Sequence, residues 1–207
     1  MATAHAGLVG LLLAAGRGRR FDPSGRSNKL LMPGTQGPHA GKPLAVAAAL
    51  GLRAAVPRVI AVVRASEDPA TRELAARLTE AGCELVVNAR AESGMGTSLA
   101  CGVRASADAT GWIIALADMP AIRPETIALV ADALTRGALT AAPHFNAQRG
   151  HPVGFGAALR DALLALEGDA GARDLLRAHP PQRLAVDDPG ILYDVDCPDV
   201  GSEGVPS

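Results

Sequence analysis

The fold is decided by a stretch near the start of the chain, Leu8-Val9-Gly10-Leu11-Leu12-Leu13, which is followed at once by Ala14-Ala15-Gly16. A continuous aliphatic run that ends in small residues is typical of a strand buried on both faces of a parallel sheet. Ligands of open α/β sheets bind at the carboxyl ends of such strands. The stretch therefore predicts a first buried strand with a binding loop directly after it.

Strands and helices alternate downstream of this first strand. Further strands are predicted at Arg58–Val63, Glu84–Val87, Trp112–Ala117 and Leu139–Ala142, and helices are predicted to begin near Pro43, Pro69, Thr97 and Pro124. Such alternation implies parallel strands joined by right-handed crossovers. Beyond residue 143, strands are expected at His151–Phe155, Arg183–Val186 and Ile191–Val195, with helices at Ala157–Leu166 and Ala170–Ala178. This second part is expected to complete the sheet.

Composition and charge exclude several classes of protein. The 207 residues are 48% apolar but only 2% aromatic, and the formal net charge is -1. Without a large basic block, a duplex nucleic-acid partner is not expected. Three cysteines without metal-ligand spacing favour a reducing compartment, and the run from Gly7 to Ala15 is too short to cross a membrane. We therefore expect a cytoplasmic protein without membrane contact, and a monomer.

The loop after the first strand carries a cluster of cations, with Arg17, Arg19 and Arg20 followed by Arg26 and Lys29. Small residues allow backbone N–H groups to approach phosphate, and arginine adds bidentate hydrogen bonds to its oxygens. The spacing is neither G-x-G-x-x-G nor the P-loop pattern. The pattern thus predicts a site for the phosphates of a small ligand, and a solvated basic loop remains the alternative.

Acidic residues follow two other predicted strands. Asp118, in Asp118-Met119-Pro120, ends the fourth strand and is well placed to hold Mg²⁺ together with substrate phosphates. Asp194 and Asp196 follow near the end of the chain, and they point in opposite directions if the strand persists through Val195. A turn or a helix cap is the alternative role for each of these carboxylates.

The motifs together resemble those of a known superfamily. Leu13–Arg20, with Lys29-Leu30-Leu31 and Gly41-Lys42-Pro43-Leu44 downstream, resembles the signature of sugar-nucleotide pyrophosphorylases and their relatives, the nucleotide-diphospho-sugar transferases. The resemblance implies a Rossmann-like three-layer α/β/α sandwich with a mostly parallel central sheet. It also implies a single nucleotidyltransferase domain over residues 1–200, with a nucleotide-binding part to about residue 140, an acceptor-binding part over 141–200, and a flexible tail over 201–207.

Within that superfamily, the chain is most similar to molybdenum-cofactor nucleotidyltransferases. Asp118-Met119-Pro120 resembles their metal-binding motif, and Tyr193–Asp199 resembles their closing Asp-x-Asp-Thr-Pro-Glu-Asp stretch, with Cys197 in place of threonine. Arg149–Val153 and Gly168–Arg173 resemble motifs of the cytidylyltransferase branch, where they lie toward the pterin substrate. Ala15 stands where the guanylyltransferase branch usually has glycine, so the resemblance favours CTP.

The resemblance implies a role for each matching residue. Arg20, Lys29 and Asp118 would be catalytic, Asp118 and Asp196 would bind Mg²⁺ or Mn²⁺, and Asp194 is the reserve ligand. The nucleotide would contact Leu13, Ala14, Ala15, Gly16, Arg17, Gly18, Arg19, Lys29, Gly96 and Ser98. The acceptor would contact Arg149, His151, Asp169 and Arg173. A lone histidine before proline more often has a structural role, which is the alternative for His151, and an ion pair to Asp169 is the alternative for Arg173.

The implied reaction moves a nucleoside monophosphate from CTP to the phosphate of molybdopterin, with release of pyrophosphate. The chain departs from the family in a longer Asp22–Asn28 segment, an extension at Gly34–Ala40, and an end soon after Asp199. The alternatives are transfer from GTP, transfer to another phosphorylated acceptor, and a non-catalytic protein that delivers the cofactor to a molybdenum hydroxylase.

Overall fold

The computed structural model describes residues 5–16, 28–169 and 171–195. In this part of the chain an eight-stranded sheet forms the centre of the molecule. Its strands are β1 (Leu8–Leu13), β2 (Arg58–Arg64), β3 (Glu84–Asn88), β4 (Gly111–Leu116), β5 (Thr140–Phe145), β6 (Gln148–Arg149), β7 (Val153–Gly156) and β8 (Gln182–Ala185). The strand order is β3-β2-β1-β4-β7-β5-β6, and β8 pairs with β5.

Helices cover both faces of this sheet. They are α1 (Leu44–Ala55), α2 (Pro69–Glu80), α3 (Met95–Arg104), α4 (Pro124–Thr135), α5 (Arg160–Leu164) and α6 (Arg173–Ala178). Side chains of β1 alternate between the faces, so that Leu8 and Leu12 pack with α1, α2 and α4, while Val9 and Leu11 pack with α3, α5 and α6. The three-layer α/β/α sandwich expected from the sequence is thereby confirmed.

Local sequence signals explain where the helices begin. The carboxylate of Asp68 accepts a hydrogen bond from the backbone N–H of Thr71 at 2.8 Å, and Pro69 occupies the first turn of α2, as predicted. Pro124 likewise begins α4. No helix in the described ranges is long and apolar enough to cross a membrane.

The direction of the chain changes beside β1. The crossovers through α1 and α2 place β2 and then β3 on one side of β1, whereas α3 leads to β4 on the other side. β1, β2, β3 and β4 are parallel, and β7 runs antiparallel to β4. The carboxyl ends of β1 and β4 therefore flank a topological switch point, where ligands of α/β folds bind.

One predicted strand was wrong. Ile191–Val195 was expected to be extended, but a 3₁₀ helix runs over Pro189–Leu192 and no strand follows it among the described residues. The side chain of Asp188 accepts a hydrogen bond from Gly190 N–H at 3.0 Å, and Pro189 fixes the first turn. This local cap prevails over the β propensity of the aliphatic residues. Because no strand runs through Val195, the expectation that Asp194 and Asp196 point in opposite directions cannot decide which of them binds metal.

Candidate active site

The candidate site lies at the carboxyl edge of β1 and β4. Ala14 and Ala15 continue from β1 as buried residues, and the Ala14 N–H donates to the Val62 carbonyl at 2.9 Å. On the neighbouring strand, the Ala117 N–H donates to the Leu13 carbonyl at 3.2 Å, which brings Asp118 to the same edge. Gly16 is exposed at this edge, and no described heavy atom lies within 4 Å of the position that a Cβ would take.

Lys29 and Asp118 meet at this edge. The Lys29 ammonium donates to a carboxylate oxygen of Asp118 at 2.9 Å, and the two side chains are only 12% and 24% exposed. A 3₁₀ turn at Lys29–Leu31 places the lysine, because the Asn28 side chain accepts from the Leu30 N–H and Leu30 is buried. A cation and a carboxylate, both shielded from water, thus face each other where the resemblance implied triphosphate and metal binding.

Residues 188–195, called here the closing segment, complete this group. The Val195 carbonyl accepts a hydrogen bond from the Lys29 ammonium at 2.9 Å, and the Val195 N–H donates to the Asp118 carbonyl at 3.0 Å. The Asp194 side chain, next along the chain, is exposed. The segment therefore contacts both Lys29 and Asp118 through its main chain.

His151 lies on the other flank of Asp118. Only Pro152 separates it from β7, and its backbone N–H donates to the Ile191 carbonyl of the closing segment at 3.0 Å. Burial lowers the pKa of the imidazole, while the charges of Asp118 and Asp194 act in the opposite direction. The Nδ1 atom is buried without a hydrogen-bond partner in the described part of the chain. The ring is thus a polar group held at the edge of the cleft.

The loop between β3 and α3 carries the predicted base and ribose contacts, Gly96 and Ser98. The Asn88 side chain donates to the hydroxyl oxygens of Thr97 and Ser98, both at 3.0 Å, and all three residues are buried. The Gly96 N–H donates to the Gly168 carbonyl at 2.9 Å. Ser98 and Gly96 are therefore engaged inside the protein, and a contact with nucleotide stays a prediction.

The four predicted acceptor residues fall into two groups. Arg149 is exposed on β6 and is close enough to affect the pKa of His151. Asp169 and Arg173 are exposed between α5 and the start of α6, and an Asp169 carboxylate oxygen lies 2.5 Å from the position of a Cβ on Gly94. No ion pair joins Arg173 to Asp169 within the described ranges. The structure thus brings Arg149 and His151 close together, and it packs Asp169 against the loop before α3.

Some predicted site residues lie outside the described residues. These are Arg17, Gly18, Arg19 and Arg20 of the first loop, and Asp196 near the end of the chain. Their assignments stay predictions from the resemblance. The Asp22–Asn28 departure falls almost wholly in the same range, and only Asn28 is described.

The second extension, Gly34–Ala40, folds against the Asp118 motif. The Gly34 N–H donates to the Lys42 carbonyl at 2.9 Å, and the Gly41 N–H donates to the Gly34 carbonyl at 2.8 Å. Gly37 has a φ of +89°, and a Cβ there would lie 2.6 Å from the Ala121 Cα. The extension therefore closes on itself and packs beside the turn that follows Asp118.

The donors at the site fit a divalent cation shared with a substrate. Mg²⁺ in such sites takes one or two protein carboxylates and completes its shell with phosphate oxygens and water. Asp118 supplies one carboxylate, and Asp194 is close enough to affect the same imidazole as Asp118. No cluster of three or more potential metal-ligating side chains occurs among residues 5–16, 28–169 and 171–195.

Two contributors were missed by the reasoning from sequence. The main chain of Val195 binds both Lys29 and Asp118, and no side-chain motif could have revealed it. Asp188 is buried, 2% exposed, and caps the turn that begins the closing segment. Its signal was present as Asp188-Pro189-Gly190, a typical turn sequence before an apolar run.

The chain is similar to several known proteins in sequence and in fold. Nicotine blue oxidoreductase of Paenarthrobacter nicotinovorans is 31% identical over 180 residues, which are 84% of this chain and 83% of the relative. Rv0371c of Mycobacterium tuberculosis H37Rv superposes with a TM-score of 0.74 at 25% identity, covering 93% of each chain. A second structure of Rv0371c, in complex with manganese, has a TM-score of 0.68 at 24% identity and covers 87% of this chain and 88% of that one.

A nucleotidyl transferase from Methanothermobacter thermautotroptrophicus also has a TM-score of 0.74, at 24% identity and with 92% of each chain covered. At that identity the likeness shows the fold alone. The sequence profile of the MobA-like NTP transferase domain matches residues 10–184, from within β1 to within β8, and this range contains Lys29, Asp118 and His151. The chain therefore belongs to the MobA-like NTP transferase family.

Proposed function

We propose that this protein transfers a nucleoside monophosphate from a nucleoside triphosphate, CTP by preference, to the phosphate of molybdopterin. The observation that carries the proposal is the group formed by Lys29, Asp118 and the Val195 main chain at the switch point of the sheet. A fixed cation beside a metal-binding carboxylate suits a reaction in which negative charge develops on transferred and departing phosphates. Family membership supports the class of reaction, and Ala15 supports CTP through the resemblance alone.

In the proposed mechanism, the acceptor phosphate attacks the α-phosphorus in line and pyrophosphate leaves. Lys29 stabilises the charge that develops on the leaving group, and Arg20 shares this role. A divalent cation held by Asp118, with Asp196 or Asp194, would orient the phosphates and offset their charge. A phosphate monoester is largely ionised at neutral pH, so the reaction needs no general base. His151, Arg149, Asp169 and Arg173 would bind the acceptor.

Binding of the four nucleoside triphosphates, measured by calorimetry with and without Mg²⁺, tests this proposal. We expect CTP to bind most tightly and only with the metal, and the Asp118→Ala variant to lose this dependence. Asp108→Ala is a matched control, since its carboxylate is 82% exposed and lies next to the start of β4, at the opposite edge of the sheet. Preference for another base would change the product, while absence of binding by any triphosphate would favour a cofactor-delivery protein.

Release of pyrophosphate identifies the acceptor. With CTP and Mg²⁺, we expect release with molybdopterin and none with a sugar phosphate or methylerythritol phosphate. A manganese complex of Rv0371c supports trying Mn²⁺ in parallel. If no acceptor supports release, and Asp118→Ala still transfers bound cofactor to a molybdenum hydroxylase, the enzymatic proposal is wrong.

A second candidate function is oxidoreduction, which the identity of 31% with nicotine blue oxidoreductase favours. The proposed nucleotidyl transfer needs Asp118 to hold the metal ion, whereas reduction of a dye does not. Reduction of nicotine blue by NADH or NADPH, followed by absorbance, would detect this activity without any triphosphate. Reduction that persists in Asp118→Ala, together with absence of nucleotidyl transfer in the wild type, would establish the second candidate in place of the first.

A further inference from the structure

The buried carboxylate of Asp188 joins two parts of the protein outside the cleft. One oxygen accepts from the Arg123 N–H at 2.9 Å and from the Thr126 hydroxyl at 2.7 Å, at the start of α4. The other oxygen accepts from the Gly190 N–H at 3.0 Å, in the closing segment. Three hydrogen bonds satisfy this carboxylate in a place where only 2% of the residue is exposed.

Two glycines show how closely the closing segment is held. A Cβ on Gly190 would collide with the backbone carbonyl of Ala121, just after the Asp118 motif. A Cβ on Gly150 would collide with the Ile191 carbonyl, which also accepts the His151 N–H at 3.0 Å. The segment is thus packed between the turn after β4 and the residues before β7.

From this anchored turn the segment leads directly to the candidate site. Seven residues after Asp188, the Val195 N–H donates to the Asp118 carbonyl at 3.0 Å, and the Val195 carbonyl accepts from Lys29 at 2.9 Å. No strand pairing holds residues 189–195, so the Asp188 cap, the fully buried side chain of Ile191 and the contacts of Val195 together determine where the segment runs.

We propose that Asp188 is a positioning residue, whose bond to Gly190 holds the closing segment so that Val195 orients Lys29 and Asp118. This inference rests on the proposed function, because the geometry it protects is that of phosphate and metal binding. The acceptor-side His151 is aligned by the same segment through Ile191. A displacement of about 1 Å at such a site costs up to about 100-fold in rate.

Two substitutions can separate the hydrogen bonds of the Asp188 carboxylate to the start of α4 from its hydrogen bond to the closing segment. In Asp188→Asn, the amide oxygen can still accept from Arg123 and Thr126. The amide NH₂ would face the Gly190 N–H and cannot accept from it, so only the hydrogen bond to the closing segment is lost. In Thr126→Val, the hydroxyl bond to Asp188 is lost, while Arg123 and Gly190 still donate to the carboxylate. Thr126→Val therefore controls for the loss of one buried hydrogen bond that does not belong to the closing segment.

Steady-state kinetics and amide hydrogen exchange, both on the full chain, test the inference. For Asp188→Asn we expect kcat to fall about 10- to 100-fold with KM for the triphosphate changed by less than about threefold. For Thr126→Val we expect kcat to stay near that of the wild type although the melting temperature falls. The Gly190 and Val195 amides should exchange faster in Asp188→Asn only.

Equal kcat in the two variants, or unchanged exchange at Val195 in Asp188→Asn, would overturn the positioning role. If the wild type releases no pyrophosphate with any acceptor, the proposed function fails by itself. Hydrogen exchange then decides the role of Asp188 without reference to turnover, since faster exchange at Val195 in Asp188→Asn alone supports it and equal exchange in both variants refutes it.

Discussion

The Lys29 ammonium lies 2.9 Å from a carboxylate oxygen of Asp118, although 89 residues separate the two in sequence. Both side chains are largely shielded from water, so their charges interact more strongly than on an open surface. The contact holds the Asp118 carboxylate at the cleft, and the positive charge of Lys29 offsets its negative charge. A metal ion and this lysine would compete for the same carboxylate, or share it.

Replacing Lys29 by methionine should therefore change metal binding and turnover in opposite directions. Without the competing ammonium, Mn²⁺ alone should bind about five times more tightly, as measured by electron paramagnetic resonance. Turnover should fall by about 10² to 10³, because the cation no longer stabilises the leaving pyrophosphate. Arg104→Met, at the far end of α3, is the control and should alter neither quantity. Weaker Mn²⁺ binding in the lysine variant would contradict competition for Asp118.

Two glycines predicted to contact nucleotide should respond differently to alanine. A Cβ on Gly96 would lie 2.7 Å from the Glu167 carbonyl oxygen and 2.9 Å from its carbon, so the backbone must move. We expect Gly96→Ala to cost about 1–3 kcal/mol of unfolding free energy. Gly16→Ala meets no described atom within 4 Å, and should leave the melting temperature unchanged while weakening triphosphate binding.

Thermal melts and calorimetry with CTP separate these effects. If Gly96→Ala leaves stability intact, the close approach to Glu167 is not maintained in solution. If Gly16→Ala binds CTP as the wild type does, the backbone at Gly16 does not approach the phosphates.

The sequence predicted those parts of the fold that depend on neighbouring residues. Asp68 with Pro69 indicated the start of α2, and the alternation of aliphatic runs with helices indicated the parallel strands. These signals are local, because a cap or a buried strand is recognised within a few residues. The antiparallel β7 could not be read in the same way, since its direction depends on pairing with β4.

Contacts between distant segments explain what the sequence could not predict about the site. Gly96 was a predicted nucleotide contact, but its lack of a side chain is required by the Glu167 backbone, 71 residues further along the chain. The strand expected at Ile191–Val195 is replaced because Asp188 caps a 3₁₀ turn. The Lys29–Asp118 contact followed from no spacing, whereas the resemblance had already placed both residues in one site.

The turn between β5 and β6 is strained, and the strain should be removable. Asn146 and Ala147 both have positive φ values, 47° and 65°. Such hairpin turns favour Asn-Gly, and alanine in this conformation costs about 1–2 kcal/mol. Replacing Ala147 by glycine removes this cost, but part of the gain in stability is offset because glycine has greater conformational freedom in the unfolded chain. We expect Ala147→Gly to raise the unfolding free energy by about 0.5 kcal/mol and the melting temperature by about 1–2 °C.

Asn146→Gly is the matched control for this turn. Asparagine tolerates positive φ, so this change should not raise stability. Equal stabilisation by both substitutions, measured by urea unfolding, would show that the backbone conformation of Ala147 is not the cause.

The cap of α2 should make stability depend on pH in a defined direction. Hydrogen bonds from the Ser66 and Thr71 hydroxyls lower the pKa of Asp68 in the folded state, and burial opposes them. Because the folded pKa lies below the unfolded value of about 3.9, the carboxylate stabilises the protein fully above that value. This contribution is lost as the pH falls through the folded pKa.

Asp68→Ala should therefore cost about 1 kcal/mol of unfolding free energy at pH 7, and the difference from the wild type should stay constant down to about pH 5. It should then shrink toward the acid limit. Asp68→Asn keeps an acceptor for the Thr71 N–H but does not titrate, so it isolates the cap from the charge. Guanidinium unfolding at pH 7, 5 and 3 measures all three proteins. A wild-type advantage over Asp68→Ala that grows between pH 5 and 3 would have the wrong sign for a carboxylate with a lowered pKa.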